Sequence, residues 1–410
     1  MDSVIVVGGG LGGVRAVEAL RSKGYEGELT LVSAERHRPY DRPPLSKAVL
    51  AGDRDDTTVD ADWDRLRARL LLGERATALR LAPGGGGTVA TTAGDLAFDG
   101  LVIATGARPI TLPGDGPQHV LRTIEDARAL RARLTGGARV VIVGAGWIGA
   151  EVATAAAKKG CAVTVVEAAD APLANAIGSG IGALTAPWYA EAGVELRTGV
   201  KVAAIEHGGL ALADGGRIEA DEVVVGVGVR PELGWLDGSG LLLERGIVTD
   251  ASFRTGVESD TPGEPGEPGA YRPDVVAVGD CASWWSARYG RRLLVEHWDT
   301  ALNAPEVAAA TLLGQEAAYD AAPYFWSEQF GRMVQYAGHH PVAERHVLRG
   351  DPASGKWAVC WLTGERLEAI LTVNSPRDLM QARRLITAGT PVDPAVIADP
   401  EVPVRQAARS

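Results

Sequence analysis

The chain has 410 residues, 46% of them hydrophobic and 23% charged, with a formal net charge of −11. That length predicts two or three domains, and an acidic balance with no basic stripe argues against nucleic-acid binding. No apolar run is as long as a membrane span, and no secretory signal precedes the first strand, so a cytoplasmic protein is predicted.

SVIVV (3–7) reads as a strand that opens into Gly8-Gly9-Gly10-Leu11-Gly12-Gly13 and a helix. ELTLVSA is the next strand, with Glu35 at its end, and the proline-rich loop Arg38-Pro39-Tyr40-Asp41-Arg42-Pro43-Pro44 follows. GDRDD after Leu50 reads as a solvated turn, and Asp62 to Leu72 as helix. APGGGG (82–87) is a hairpin tip, and FDGLVIATGARP (98–109) an apolar strand ending in a turn. A second strand–helix–strand unit begins near Arg139: RVVIV opens into Gly144-Ala145-Gly146-Trp147-Ile148-Gly149, and Glu167 follows AVTVV. VELRTGVKVAAIEH and RIEADEVVVGVGVRP read as strands of a small sheet. The Pro/Gly/Glu-rich stretch 256–273 reads as an exposed loop or insertion. DVVAVGD (274–280) is a buried strand, and residues 297–314 form a helix after a short hairpin. From Pro323 the strands YFWSEQF, MVQYAG, KWAVCWLT and LEAILTV precede a helix over 375–389, which predicts a third, α+β domain.

The two glycine motifs carry the chemistry. Their glycines allow a tight turn, close approach of main chain to a pyrophosphate, and close packing of helix on strand. The helix start offers N–H groups and a positive dipole end. A lone motif competes with a glycine-rich structural turn, whereas two, each followed by an acid for a ribose, imply two dinucleotides and hydride transfer between them. Cys161, Cys281 and Cys360 have no C-x-x-C or metal-ligand spacing, which argues against a metal site and a disulfide-exchanging enzyme.

Further markers run the length of the chain: Pro39-Tyr40-Asp41-Arg42-Pro43-Pro44-Leu45-Ser46-Lys47, Ala104-Thr105-Gly106-Ala107-Arg108-Pro109, Leu121-Arg122-Thr123, Gly226-Val227-Gly228-Val229-Arg230-Pro231, Val278-Gly279-Asp280 and Pro323-Tyr324-Phe325-Trp326-Ser327. With the glycine motifs they resemble the FAD-dependent, NADH-linked ferredoxin reductases that serve haem-thiolate monooxygenases and aromatic-ring dioxygenases. YDRPPLSK and PYFWS are the specific pieces. The resemblance implies an α/β, glutathione-reductase-like flavoprotein with two Rossmann-like dinucleotide-binding domains and a C-terminal α+β domain. It divides the chain into an FAD-binding domain (1–112 and 231–312), an NADH-binding domain (113–230) and a C-terminal domain (313–410).

By the same resemblance, Gly8, Gly10, Leu11, Gly12 and Gly13 hold the FAD pyrophosphate and Glu35 its adenosine ribose. Asp280, after Gly279, takes the ribityl hydroxyls, or reaches the pyrophosphate through water, and Arg122 balances phosphate charge. Trp298 packs on the isoalloxazine. Arg42, Ala76, Thr105 and Gly106 complete the FAD set. Lys47 and Glu151 stand beside the flavin's reactive nitrogen, the lysine stabilising negative charge and the carboxylate holding the lysine. The NADH set is Gly144, Gly146, Trp147, Ile148, Gly149, Glu167 and Gly228, with Glu167 selecting against a 2′-phosphate. Plainer readings compete: a turn cap for Asp280, a surface arginine for Arg122, a core tryptophan for Trp298, and an ordinary ion pair for Lys47 and Glu151.

The resemblance implies a 2Fe–2S ferredoxin as transient partner, with the chain a monomer or weak homodimer. A rubredoxin reductase, an NADH oxidase and an FAD-binding redox sensor are the alternatives. Two departures stand out. Relatives carry an arginine near 170–175 where this chain has Ala171 and Asn175, with Arg230 a substitute, and the 256–273 stretch is long and acidic.

Overall fold

The computed structural model describes residues 1–258 and 270–409. The chain divides into two compact units. The first comprises Met1–Asp41, Thr58–Arg108 and Arg230–Tyr324; the second comprises Arg42–Thr57, Pro109–Val229 and Phe325–Ser410.

The first unit is built on a nine-stranded sheet. From one edge to its middle, Arg69–Leu72, Glu28–Ser33, Ser3–Val7, Gly100–Ile103 and Ala270–Ala277 lie side by side and parallel. Ser3–Val7 is buried over Val4 to Val7, and Gly100–Ile103 is buried throughout. Such continuous apolar runs mark strands covered on both faces. The helix Leu11–Ser22 packs against the helix Trp298–Leu312. An antiparallel meander of Ala76–Leu81, Gly87–Thr91 and Gly94–Phe98 adds Leu79, Val89 and Phe98 to the core.

The expected helix over Asp62–Leu72 is a single turn, Trp63–Leu66, followed by the strand Arg69–Leu72. Arg67 stands at φ +46°, which ends the helix, and parallel pairing with Glu28–Ser33 overrides local propensity. The stretch 256–273, expected as a loop, is strand at both ends. Arg254–Val257 and Ala270–Ala277 are paired strands, with Val257 opposite Ala270, and residues 259–269 lie outside the described residues.

The second unit contains a parallel sheet in the order Glu195–Arg197, Ala162–Val166, Arg139–Val143, Glu222–Val225. The two segments expected to share a small sheet are therefore split. Their outer strands extend this parallel sheet, while Val202–Glu206, Gly209–Leu212 and Arg217–Glu219 form an antiparallel meander. A five-stranded antiparallel sheet runs Tyr324–Gln329, Arg332–Gly338, Arg366–Val373, Lys356–Thr363, Arg345–Asp351, and the helix Pro376–Ala388 packs on it. Arg345–Asp351, not foreseen from sequence, is an edge strand with mostly exposed or half-buried side chains, and such a strand shows no apolar alternation.

Arg349 lies on that edge strand yet is only 3% exposed. Its guanidinium pairs with Asp378 at 3.0 Å and donates to the carbonyls of Ile397, at 3.1 Å, Asp399, and Val402, at 2.8 Å. One planar cation thus ties the C-terminal residues to the sheet. Arg349→Met is expected to lower unfolding free energy by about 3 kcal/mol, since a half-buried carboxylate and several carbonyls lose their donor. Urea denaturation followed by tryptophan fluorescence measures this.

Candidate functional site

In the first unit the parallel strands bring the residues that follow them to one edge of the sheet. Gly8 follows Ser3–Val7, Glu35 lies just past Glu28–Ser33, Thr105 and Gly106 follow Gly100–Ile103, and Gly279 and Asp280 follow Ala270–Ala277. Ligands of open α/β sheets bind at this carboxyl edge. Ala76 opens the strand Ala76–Leu81, beyond Gly73, whose N–H donates to the Glu35 carbonyl at 2.9 Å. Thr105 donates to the Glu232 carbonyl at 2.9 Å. Trp298 starts its helix, and its indole N–H donates to Asp41 at 2.7 Å.

The two glycine loops share one construction. Gly8 has φ +123°, and a Cβ there would sit 2.1 Å from the Ala104 carbonyl oxygen. Gly144 has φ +102°, with a Cβ 2.4 Å from the Gly226 oxygen. At Gly13 and Gly149 a Cβ would meet the Gly8 and Gly144 oxygens at 1.9 and 2.0 Å. Gly10 and Gly146 are the opposite case, with nothing within 4 Å. Each caps a 12-residue helix, Leu11–Ser22 or Trp147–Lys158, that has no side-chain cap and no acid in its first turn. The first N–H groups of both helices therefore receive no side-chain cap, beside a capping glycine with open space around it. An anionic pyrophosphate fits both places, because it supplies the missing acceptors at the positive end of the dipole.

The two acids do not occupy equivalent positions. Gly8 N–H donates to the Val32 carbonyl and Gly144 N–H to the Val166 carbonyl, each at 2.8 Å. Glu167, directly after Val166, therefore matches Ser33, and Glu35 lies two residues further on. Glu167 accepts from the N–H groups of Ala145 at 2.8 Å and Ala169 at 2.9 Å. Glu35 accepts from the Tyr40 hydroxyl.

Around the second loop, Trp147 packs edge-on against Phe325 with ring centroids 4.8 Å apart, while Ile148 is exposed. Gly228 has φ +111° and accepts from Ile110 N–H at 3.0 Å. Ala171 is buried, and Asn175 and Arg230 are exposed.

Arg42, Lys47 and Arg122 belong to the second unit, and the other residues expected around FAD to the first. Arg42 donates to the Arg122 carbonyl at 2.6 Å, and Arg122 N–H donates to Asp126 at 3.0 Å. Lys47 meets Glu151 at 2.9 Å. Glu151 is only 3% exposed, and both its oxygens are engaged. Oε2 accepts from Lys47 Nζ and the Ser46 hydroxyl; Oε1 accepts from the Ser327 hydroxyl at 2.6 Å and the Glu328 N–H at 3.3 Å. A carboxylate is costly to bury unless its oxygens meet donors. Ser46 and Ser327 lie inside the PPLSK and PYFWS motifs, but nothing in the sequence assigned them a role. Their signal was adjacency, since Ser46 precedes Lys47 and Ser327 closes its motif.

Cys161, Cys281 and Cys360 are all free thiols. Burial pushes Cys281 up to about 11 and Cys360 up to about 12, so neither is a thiolate at neutral pH. No helix among the described residues is long and apolar enough to cross a membrane.

Two phosphate-ready glycine loops on parallel sheets define a two-dinucleotide oxidoreductase. The chain belongs to the pyridine nucleotide-disulphide oxidoreductase family, whose model matches residues 2–304, and a reductase C-terminal model matches residues 324–408. It is 37% identical to the anthranilate 1,2-dioxygenase system ferredoxin–NAD(+) reductase component of Burkholderia cepacia, over 98% of each chain. It is 34% identical to putidaredoxin reductase CamA of Pseudomonas putida, over 99% of this chain and 96% of that one. Among solved structures, Fdr9 matches with TM-score 0.90 and 45% identity, over 98% of this chain and 99% of that one. The reductase in the covalent putidaredoxin reductase–putidaredoxin complex matches with TM-score 0.90 and 32% identity, over 99% and 97%. The resemblance read from YDRPPLSK and PYFWS thus extends over the whole chain.

Open space at Gly10 and Gly146, against contact at Gly13 and Gly149, makes a stability prediction. Gly10→Ala and Gly146→Ala are expected to leave unfolding free energy within about 0.5 kcal/mol. Gly13→Ala and Gly149→Ala are expected to lower it by about 1–3 kcal/mol, through forced displacement of helix from strand. Thermal unfolding of the ligand-free proteins distinguishes the two pairs.

Proposed function

We propose that the chain is an FAD-dependent NADH:ferredoxin oxidoreductase, delivering electrons to a small 2Fe–2S ferredoxin of a monooxygenase or dioxygenase system. The observation that carries this reading is the pair of open glycine cradles, one in each unit. FAD supplies, when bound, the conversion between a hydride donor and a one-electron acceptor. The relatives named for dioxygenase ferredoxin reduction, and the reductase joined to putidaredoxin, support a ferredoxin as acceptor.

On this reading Gly8, Gly10 and Gly13 admit the FAD pyrophosphate, with Glu35, Thr105, Gly106, Asp280 and Trp298 positioned along the same sheet edge. Gly144, Gly146 and Gly149 admit the NADH pyrophosphate. Glu167 keeps acceptor capacity beyond its two main-chain bonds, enough for ribose hydroxyls, and its charge repels a 2′-phosphate. Lys47 is the cation that stabilises negative charge on the flavin as hydride arrives, and Glu151 fixes its position. The FAD-binding part is 1–112 with 231–312, the NADH-binding part 113–230, and the remainder a C-terminal domain. Three free thiols, two of them buried, suit a reducing cytoplasm. The protein is assigned as a monomer or weak dimer.

Anaerobic addition of NADH is expected to bleach the flavin rapidly, and NADPH slowly. Cytochrome c reduction should then depend on added ferredoxin. Rapid oxygen consumption without ferredoxin dependence would instead indicate an oxidase, and absence of bound flavin would end this reading. Lys47→Met is expected to slow NADH-driven bleaching by about 10²-fold, the scale on which losing one preorganised donor acts. Stopped-flow absorbance measures it.

A further inference from the structure

We infer that Asp41 is a positioning residue that fixes the orientation in which the Trp298 ring packs on the flavin. The inference rests on the reading above of an FAD enzyme with Trp298 against the isoalloxazine, and adds the group that governs that ring.

Trp298 is half-buried and is the first residue of the helix Trp298–Leu312. The start of this helix lies against the first glycine loop. A Cβ at Gly12 would stand 3.8 Å from the Ala301 carbonyl oxygen, and one at Gly279 would stand 3.9 Å from the Ala301 Cβ, both ordinary contact distances. Ala301 is one turn beyond Trp298. The indole therefore opens its helix at the sheet edge that carries the phosphate loop and Asp280. Helical side chains lean toward the N-terminus of their helix. A side chain at the first position extends past the helix, with no preceding turn to pack on, so groups from other segments set its ring plane.

Asp41 is such a group. An indole has one polar atom, a donor, and Trp298 gives it to Asp41 Oδ1 at 2.7 Å across 257 residues of sequence. That length is typical of a charge-assisted hydrogen bond. The N–H lies in the plane of the ring, so the bond restricts the side-chain torsions without covering either face. Asp41 is itself held through its neighbours. The Pro39 carbonyl accepts from the Val59 N–H at 2.9 Å, while buried Tyr40 bridges to Thr58 and donates its hydroxyl to Glu35. The loop thus presents the carboxylate from a fixed main chain, and Asp41 acts on the flavin through Trp298.

The test compares FAD-loaded Asp41→Ala, Asp41→Asn, Trp298→Phe and the double Asp41→Ala/Trp298→Phe variant with the parent. Flavin fluorescence and the FAD dissociation constant are measured for each. An indole stacked on a flavin quenches its fluorescence by donating an electron to the excited ring, and a phenyl ring does not. Trp298→Phe is expected to brighten the flavin. Asp41→Ala should brighten it too and weaken FAD binding about tenfold, the scale of one charge-assisted hydrogen bond. Asp41→Asn keeps a side-chain carbonyl for the indole and is expected to match the parent in both readings. In the double variant, Asp41→Ala should add nothing to the loss caused by Trp298→Phe, because groups that act as one unit are not additive. A role for Asp41 in its own loop alone would add, and that result would overturn the inference. So would parent-like readings in Asp41→Ala while Trp298→Phe changes both, which would leave the reading of Trp298 standing. Parent-like readings in Trp298→Phe would remove Trp298 from the flavin, and the inference with it.

Discussion

A helix that presents its first N–H groups to a phosphate has to start almost against the preceding strand, and that closeness leaves no room for a side chain. The constraint falls on Gly13 and Gly149, where a Cβ would overlap the carbonyl oxygens of Gly8 and Gly144. It also sets the height of each helix over its sheet. Glu151 lies two residues past Gly149 on the helix Trp147–Lys158 and so faces away from that sheet. The segments carrying Ser46, Lys47, Ser327 and Glu328 cover it there, leaving it only 3% exposed. The donors those segments bring answer the burial they impose.

Those donors come from two places in the chain. Ser46 and Lys47 close the proline-rich loop, Ser327 and Glu328 lie on the first strand of the antiparallel sheet, and Glu151 sits between them on its helix. Burial of this kind seldom adds net stability over an apolar packing of the same volume, although removing one partner is costly. What it supplies is direction. An ammonium beside a fixed carboxylate has a defined place, whereas a solvated lysine has many. For a reaction in which the cofactors do the bond-making, a fixed charge is the principal contribution the protein itself can make.

Legibility in the sequence followed the range of the interactions involved. The glycine motifs were readable because left-handed φ and absent side chains are properties of single residues, and Gly8 and Gly144 carry both. The central strands were readable from unbroken apolar runs. The segment Asp62–Leu72 was not, because its second half becomes a strand only through pairing with Glu28–Ser33. Arg345–Asp351 escaped because a polar edge strand has no periodicity to detect. Lys47 and Glu151 could be named from motif resemblance, but the hydroxyl of Ser327, 176 residues from Glu151, has no local signature. Long-range partners of a buried charge emerge only once the fold has brought them together.

The two glycine loops show how one geometry accommodates different residues. In the first, Ser33 stands where Glu167 stands in the second, and a Cβ at Gly9 would lie 2.4 Å from the Ser33 hydroxyl oxygen. The short polar side chain fills the space beside the loop, so residue 9 has to be glycine. In the second loop the longer Glu167 reaches to the main-chain N–H of Ala145 at 2.8 Å, and a methyl group is tolerated there. The acid of the first unit is displaced to Glu35, where the Tyr40 hydroxyl of the proline-rich loop donates to it. In one unit a carboxylate braces the glycine loop directly. In the other the acid is released from that duty and tied to the neighbouring loop, so the repeats share a backbone but divide the work of their acids differently.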